Sequence, residues 1–153
     1  MKHVYAVCMA ALVLCAVGCS KEKRLDNRLS GNTWNIDRIE WVKTESNFAE
    51  INVSTGTETD AGTFQFEAST GTSTMTIDGV TEENVAFSWS VSDDGGEINV
   101  TYDVAIDGTS SNQRVLVIEE NKRKRQTWVL TEQRIDLETE EAYQLVAEIT
   151  LSR

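Results

Sequence analysis

The sequence predicts an all-β protein: a single antiparallel meander of about eight strands that closes into a barrel, with an open two-sheet β-sandwich as the alternative. Three observations carry this. Apolar residues recur at period two in eight successive segments between Gly31 and Arg153, the spacing that turns one row of a strand inward and the next outward. Turn-forming Asp, Asn and Gly residues separate most of these segments, supplying the backbone angles that tight hairpins need. No stretch of ten or more residues in this region carries a 3.6-residue period. Closure removes the exposed edges that invite aggregation. A barrel of about eight strands is just wide enough to be filled with side chains or to hold one small ligand.

The chain opens with Met1, Lys2 and His3, followed by 14 uninterrupted apolar residues, Val4–Val17. A membrane-spanning helix needs about 20, so this run fits the apolar core of a secretory signal peptide. It ends Ala16-Val17-Gly18-Cys19, which resembles the bacterial lipobox, where small residues precede an invariant Cys. Ala16 stands where that family usually has Leu. The resemblance implies a signal peptide over residues 1–18, cleavage before Cys19, and a diacylglycerol thioether and an N-acyl chain such as palmitate on that Cys. Two or more acyl chains anchor a protein stably, whereas one holds it only reversibly. Ser20 follows the Cys in place of the Asp that retains enterobacterial lipoproteins at the inner membrane. By that analogy the chain belongs to the cell envelope at the outer membrane, facing either the periplasm or the surface. Residues 19–30 then read as the lipidated Cys and a polar tether, with Leu25 and Leu29 its only apolar side chains. About ten extended residues reach on the order of 35 Å.

The domain over residues 31–153 supplies the strands. Trp34 and Ile36 alternate, then Ile39 and Trp41 continue one residue out of step, which predicts a bulge or bend in the first strand. Val42–Thr63 reads as a long irregular stretch, with a short helix near Ser46–Ile51. Phe64, Phe66 and Ala68 mark the second strand, Met75 and Ile77 the third, and Val85, Phe87, Trp89 and Val91 the fourth. Ile98, Val100, Tyr102, Val104 and Ile106 mark the fifth. Val115–Ile118 is apolar on both faces. Trp128 and Leu130 form the seventh strand, and the row from Tyr143 to Leu151 the eighth. Asp78-Gly79, Asp93–Gly96, Asp107-Gly108 and Asn121–Arg125 are read as turns, and Glu138–Glu141 as one helical turn.

Leu29-Ser30-Gly31-Asn32-Thr33-Trp34-Asn35-Ile36, with Gln126–Thr131 and a Tyr-containing last strand from Tyr143 to Leu151, resembles the lipocalin-like lipoproteins of Bacteroidetes-type bacteria. Here two residues rather than one separate the Gly from the Trp. The resemblance covers Leu29–Arg153 and implies a lipocalin-like barrel in which Trp34 closes the floor.

Charge and composition narrow the function. The 153 residues hold 14 Lys+Arg against 25 Asp+Glu, a net charge of −11. This balance argues against a nucleic-acid partner, whose phosphates are bound by Lys and Arg. From Ser20 onward the chain has no His and no Cys, and 13 basic against 25 acidic residues, net −12. Ser-His-Asp and Cys-His nucleophile systems are thereby excluded, as are zinc sites with His or Cys ligands, c-type haem attachment and iron–sulfur clusters.

The inward rows place Phe66, Phe87, Trp89, Tyr102, Trp128 and Tyr143, with Phe64, in the barrel interior. These six are the candidate contacts for a small hydrophobic ligand, and a fully packed core is the competing reading. Glu82-Glu83 and Asp93-Asp94 are read as turn acids rather than a glycosidase pair. Ser92–Glu97 has oxygen ligands but lacks EF-hand spacing and reads as a hairpin rather than a calcium site. Lys122-Arg123-Lys124-Arg125 reads as a solvated hairpin tip able to touch an anionic surface. The expectation is therefore a membrane-anchored, non-enzymatic lipoprotein without metal or cofactor. It either binds a hydrophobic ligand or has a packed core and acts on an envelope partner through its loops, with Val42–Thr63 the natural surface.

Overall fold

The computed structural model of the protein describes residues 20–46, 50–104, 109, 111–136 and 139–153. A helix, α1 (Lys21–Leu29), precedes eight strands: β1 (Thr33–Ser46), β2 (Ile51–Phe66), β3 (Thr70–Ile77), β4 (Val80–Val91), β5 (Glu97–Tyr102), β6 (Gln113–Asn121), β7 (Arg125–Ile135) and β8 (Ala142–Ser152). Each strand pairs antiparallel with the next, and β8 returns to β1, so the meander closes into a barrel. The sandwich alternative is excluded. The predicted signal peptide, Cys19, Ile106, the Asp107-Gly108 turn and Glu138 lie outside the described residues.

Local chemistry accounts for the register. The β3–β4 hairpin turns on Asp78 and Gly79 with φ of 53° and 72°, the two left-handed residues that suit a type I′ turn. The phase slip in β1 is a bulge: pairing with both β2 and β8 shifts between Ile36 and Arg38. It keeps Trp34, Ile36 and Ile39 all in the core at 1% exposure or less. Opposite this bulge stands Gly62, with φ of 129°. A Cβ there would lie 1.9 Å from the Thr74 carbonyl oxygen, so the close approach of β2 to β3 requires glycine.

Three expectations need correction. Val42–Thr63 is largely regular: β1 and β2 pair from Ser46↔Ile51 down to Ile36↔Gly62. The segment escapes pattern reading because it buries little; Ile51 and Val53 are 71% and 63% exposed. Its other edge, from Ile51 to Thr59, has no strand partner among the described residues, since β2–β3 pairing begins at Gly62. The fifth strand stops at Tyr102, and Asp103-Val104 bend away from it.

The third correction concerns residues 19–30. Ser20 caps α1, its hydroxyl oxygen accepting from the Lys23 N–H at 3.2 Å, a satisfied helix start. Leu25 and Leu29, one helical turn apart and therefore on one face, are both fully buried in the core cluster. The helix lies across the end of the barrel where β4 turns into β5 and β6 into β7. Gly95 approaches it so closely that a Cβ there would sit 2.5 Å from the Glu22 N atom. Arg28 donates to the Asn121 carbonyl oxygen and, at 2.6 Å, to Asn121 Oδ1. The expected tether is thus a plug, about 14 Å long by helical rise, and the folded unit begins before Gly31.

Candidate functional site: the barrel interior and its mouth

The inward rows meet as the sequence predicts, in two layers. The plugged half is aromatic. Phe64 packs against Phe66, Phe87 and Trp128 with ring centroids 5.9, 6.1 and 5.4 Å apart. Phe66 contacts Phe87 at 5.5 Å and Trp89 at 5.1 Å, and Phe87 reaches Tyr102 at 5.8 Å. Most are edge-to-face, the arrangement that ring quadrupoles favour. Two indole N–H groups of this half are satisfied, Trp128 Nε1 donating to Gln126 Oε1 at 3.0 Å and Trp89 Nε1 to the Thr70 carbonyl at 3.1 Å, while the buried Trp34 Nε1 has no hydrogen-bond partner among the described residues.

Of the six candidate ligand contacts, Phe66, Phe87, Trp89, Tyr102 and Trp128 therefore join one cluster through ring-on-ring packing. Tyr143 stands apart at the open end, where the Lys43 ammonium lies 4.3 Å from its ring centroid. All six are at most 7% exposed. The five clustered rings are packed against one another, the geometry of a packed aromatic core rather than an open pocket in that half.

The half nearer the mouth holds a layer that strand periodicity marks for three of its four members. Arg114 grips Glu82 with both terminal nitrogens at 2.8 Å and donates through Nε to Glu132 Oε1. Arg134 donates through Nε to Glu132 Oε2 at 2.9 Å, and its Nη2 lies 3.7 Å from Glu82 Oε1. Two guanidinium groups and two carboxylates thus form a neutral square, with side-chain exposures of 1–8%. Glu82 is not a turn acid: it lies on β4 and faces inward. Arg114 continues the apolar row of Leu116 by two positions, and Glu132 and Arg134 continue that of Leu130 by two and four, whereas Glu82 is out of step with Phe87 and Trp89, in a strand whose pairing with β3 shifts between Ser73 and Met75. Charge disguised the parity of the first three.

Electrostatics agree with a closed brace rather than a reactive centre. Burial opposes the Arg114 charge, but the hydrogen bonds to Glu82 and the fields of Tyr102 and Glu132 outweigh it and hold its pKa above the usual arginine range. The guanidinium stays charged and committed to its partners. Burial pushes the Tyr102 phenol up, with Arg114 pulling the other way. A pKa raised by folding contributes stability that is present below the unfolded value, about 10, and is lost as pH rises through the folded one. Tyr102→Phe is accordingly expected to move the alkaline unfolding midpoint upward, read by circular dichroism. At neutral pH it should cost only about 0.5–1.5 kcal/mol for the lost 3.3 Å contact with Arg114 Nη1.

The remaining candidates take ordinary roles. Asp94 Oδ1 accepts from the Ser92 hydroxyl at 2.7 Å and the Gly96 N–H at 2.9 Å, and these bonds hold its carboxyl below the usual range. It organises the β4–β5 turn. Lys122–Arg125 forms the β6–β7 tip, exposed throughout. Outside the barrel wall, a cleft of about 550 Å³ runs beside Trp41, Val42, Gly56 and Val146. No helix among the described residues is long and apolar enough to cross a membrane.

Fold and site together define a closed eight-stranded antiparallel barrel of lipocalin-like form, with one end plugged by an N-terminal helix and an interior divided into aromatic and ionic layers. In comparison with known proteins, no family model matches the chain and no curated protein matches it.

Proposed function

We propose that the protein is an exported accessory lipoprotein, anchored to the outer membrane through Cys19, whose solid barrel presents its outer surface to another envelope component. It carries out no catalysis of its own. The observation that carries this reading is the filled interior. Aromatic rings occupy the plugged half, and a charged square lies between them and the mouth, so a hydrophobic ligand entering there must displace paired ions. The lack of His and Cys from Ser20 onward and the internal pairing of the buried charges support a non-enzymatic role. The partner surface that fits best is the edge of β2 from Ile51 to Thr59, which pairs with no strand among the described residues and carries the exposed Ile51 and Val53, so that an added strand fits there.

Two measurements test the reading. Metabolic labelling with an alkyne fatty acid should tag the wild-type chain and leave Cys19→Ser untagged; equal labelling removes the anchor. Native mass spectrometry of the full chain extracted from its own envelope should give a barrel free of small molecules. A stoichiometric hydrophobic ligand would instead establish the binding role that the lipocalin-like form allows.

A further inference from the structure

We infer that the plugged end of the barrel is a docking face for an anionic phospholipid surface, so that the protein stands on the membrane with its mouth turned away. The inference rests on the anchored reading, because the N-terminal segment is what would bring this end to the bilayer.

Charge placement points there. Of the 13 basic residues from Ser20 onward, α1 contributes four, the β6–β7 tip four and the C-terminal residue one. The fold joins these three sources. Arg28 of the helix bonds Asn121 at the foot of the tip. The Arg153 N–H donates to the Lys124 carbonyl at 3.1 Å. Its guanidinium reaches the Arg28 carbonyl at 3.4 Å and lies 5.5 Å from the Trp34 ring. Nine cations thus share one end of a chain whose net charge is −12 over these residues.

Eight acids share this end, Glu22, Asp26, Glu67, Asp93, Asp94, Glu97, Glu119 and Glu120, so it is near neutral while the rest of the chain from Ser20 onward carries 4 basic and 17 acidic residues, and its exposed cationic excess is the Lys122–Arg125 tip. Glu120 engages Lys122 and Arg125, Glu22 and Asp26 lie on the helix itself, and Asp94 is held by its own turn. Arg123 and Lys124 make no ion pair with any described residue. The opposite end is acidic: Lys43 there faces Glu45, Asp78 and Asp136, and Glu140 and Glu141 are exposed.

Geometry supplies the occupant. Ser20 caps the helix and follows Cys19 directly in the sequence, so no spacer residue separates the lipid-bearing Cys of the anchored reading from the helix start. An acylated Cys19 would hold the plugged end within a Debye length, about 10 Å at 0.1 M salt, of the head groups. Basic side chains adjoining a lipid anchor are attracted by anionic lipid in just this range.

The full chain is bound to vesicles of phosphatidylcholine alone or mixed with phosphatidylglycerol, and lysine acetylation by a water-soluble reagent is mapped by mass spectrometry. On the anionic vesicles Lys21, Lys23, Lys122 and Lys124 should be protected several-fold more than on neutral ones, while Lys43 is unchanged. High salt should remove the difference, and so should K122E/R123E/K124E at the exposed tip, its fold checked by thermal melting. Equal modification on both vesicles overturns the docking face while leaving the anchor intact. Flotation with neutral vesicles reads the anchor separately. A chain that fails there yet shows salt-sensitive protection on anionic vesicles refutes the anchor and keeps the face. A chain that binds neither refutes both.

Discussion

Replacing Glu82 with alanine is expected to lower stability by about 3–5 kcal/mol, the usual result of removing one partner from a buried ion pair. Arg114 is 3% exposed and takes two 2.8 Å bonds from its terminal nitrogens to this carboxylate. Without it the guanidinium keeps only Glu132 and the Tyr102 hydroxyl, and Arg134 loses its second carboxylate. Neither cation reaches water. Urea titration should show a midpoint lower by on the order of 2 M. Glu83→Ala, one residue along and exposed, should fall within about 0.5 kcal/mol of wild type. If both variants melt alike, the ionic layer does not brace the barrel. Replacing all four members with apolar residues of similar volume is a separate matter and can be neutral or stabilising. The network would then matter for specificity: it blocks the mouth with charge.

The square also marks where the sequence was legible and where it was not. Strand rows with aromatic or aliphatic residues announced themselves, and the slip between Ile36 and Ile39 pointed to the irregularity in the first strand that stands as a register shift between Ile36 and Arg38. Parity carried the same information for Arg114, Glu132 and Arg134, but charged residues are expected outside, and only a closed, self-neutralising group overturns that expectation. β2 failed for the opposite reason. Ile51, Val53, Thr55, Thr57 and Thr59 alternate as a strand should, yet the segment packs against no core, so no apolar contrast accompanied the alternation. The helix was hidden by brevity: nine residues carry one apolar pair, Leu25 and Leu29, and the Ser20 cap was the remaining signal.

Trp128→Ala is expected to cost about 3–5 kcal/mol as well, through a different mechanism: a large cavity the barrel cannot collapse to fill. Trp128 is fully buried, with Phe64 and Phe66 at 5.4 and 6.1 Å. Its indole N–H holds Gln126, which in turn bonds Asn121 at 2.8 Å, the residue that receives Arg28 of the plug. The substitution therefore empties the aromatic layer and loosens the chain of bonds to the helix. An apolar cavity of this kind stays dry and accepts small aromatic molecules. Added indole should raise the denaturation midpoint of Trp128→Ala and leave the wild-type midpoint unchanged. This contrast separates the two readings of the interior. A filled barrel gains a binding site only when Trp128 is removed, whereas a barrel built to hold a hydrophobic ligand would respond to indole with Trp128 in place.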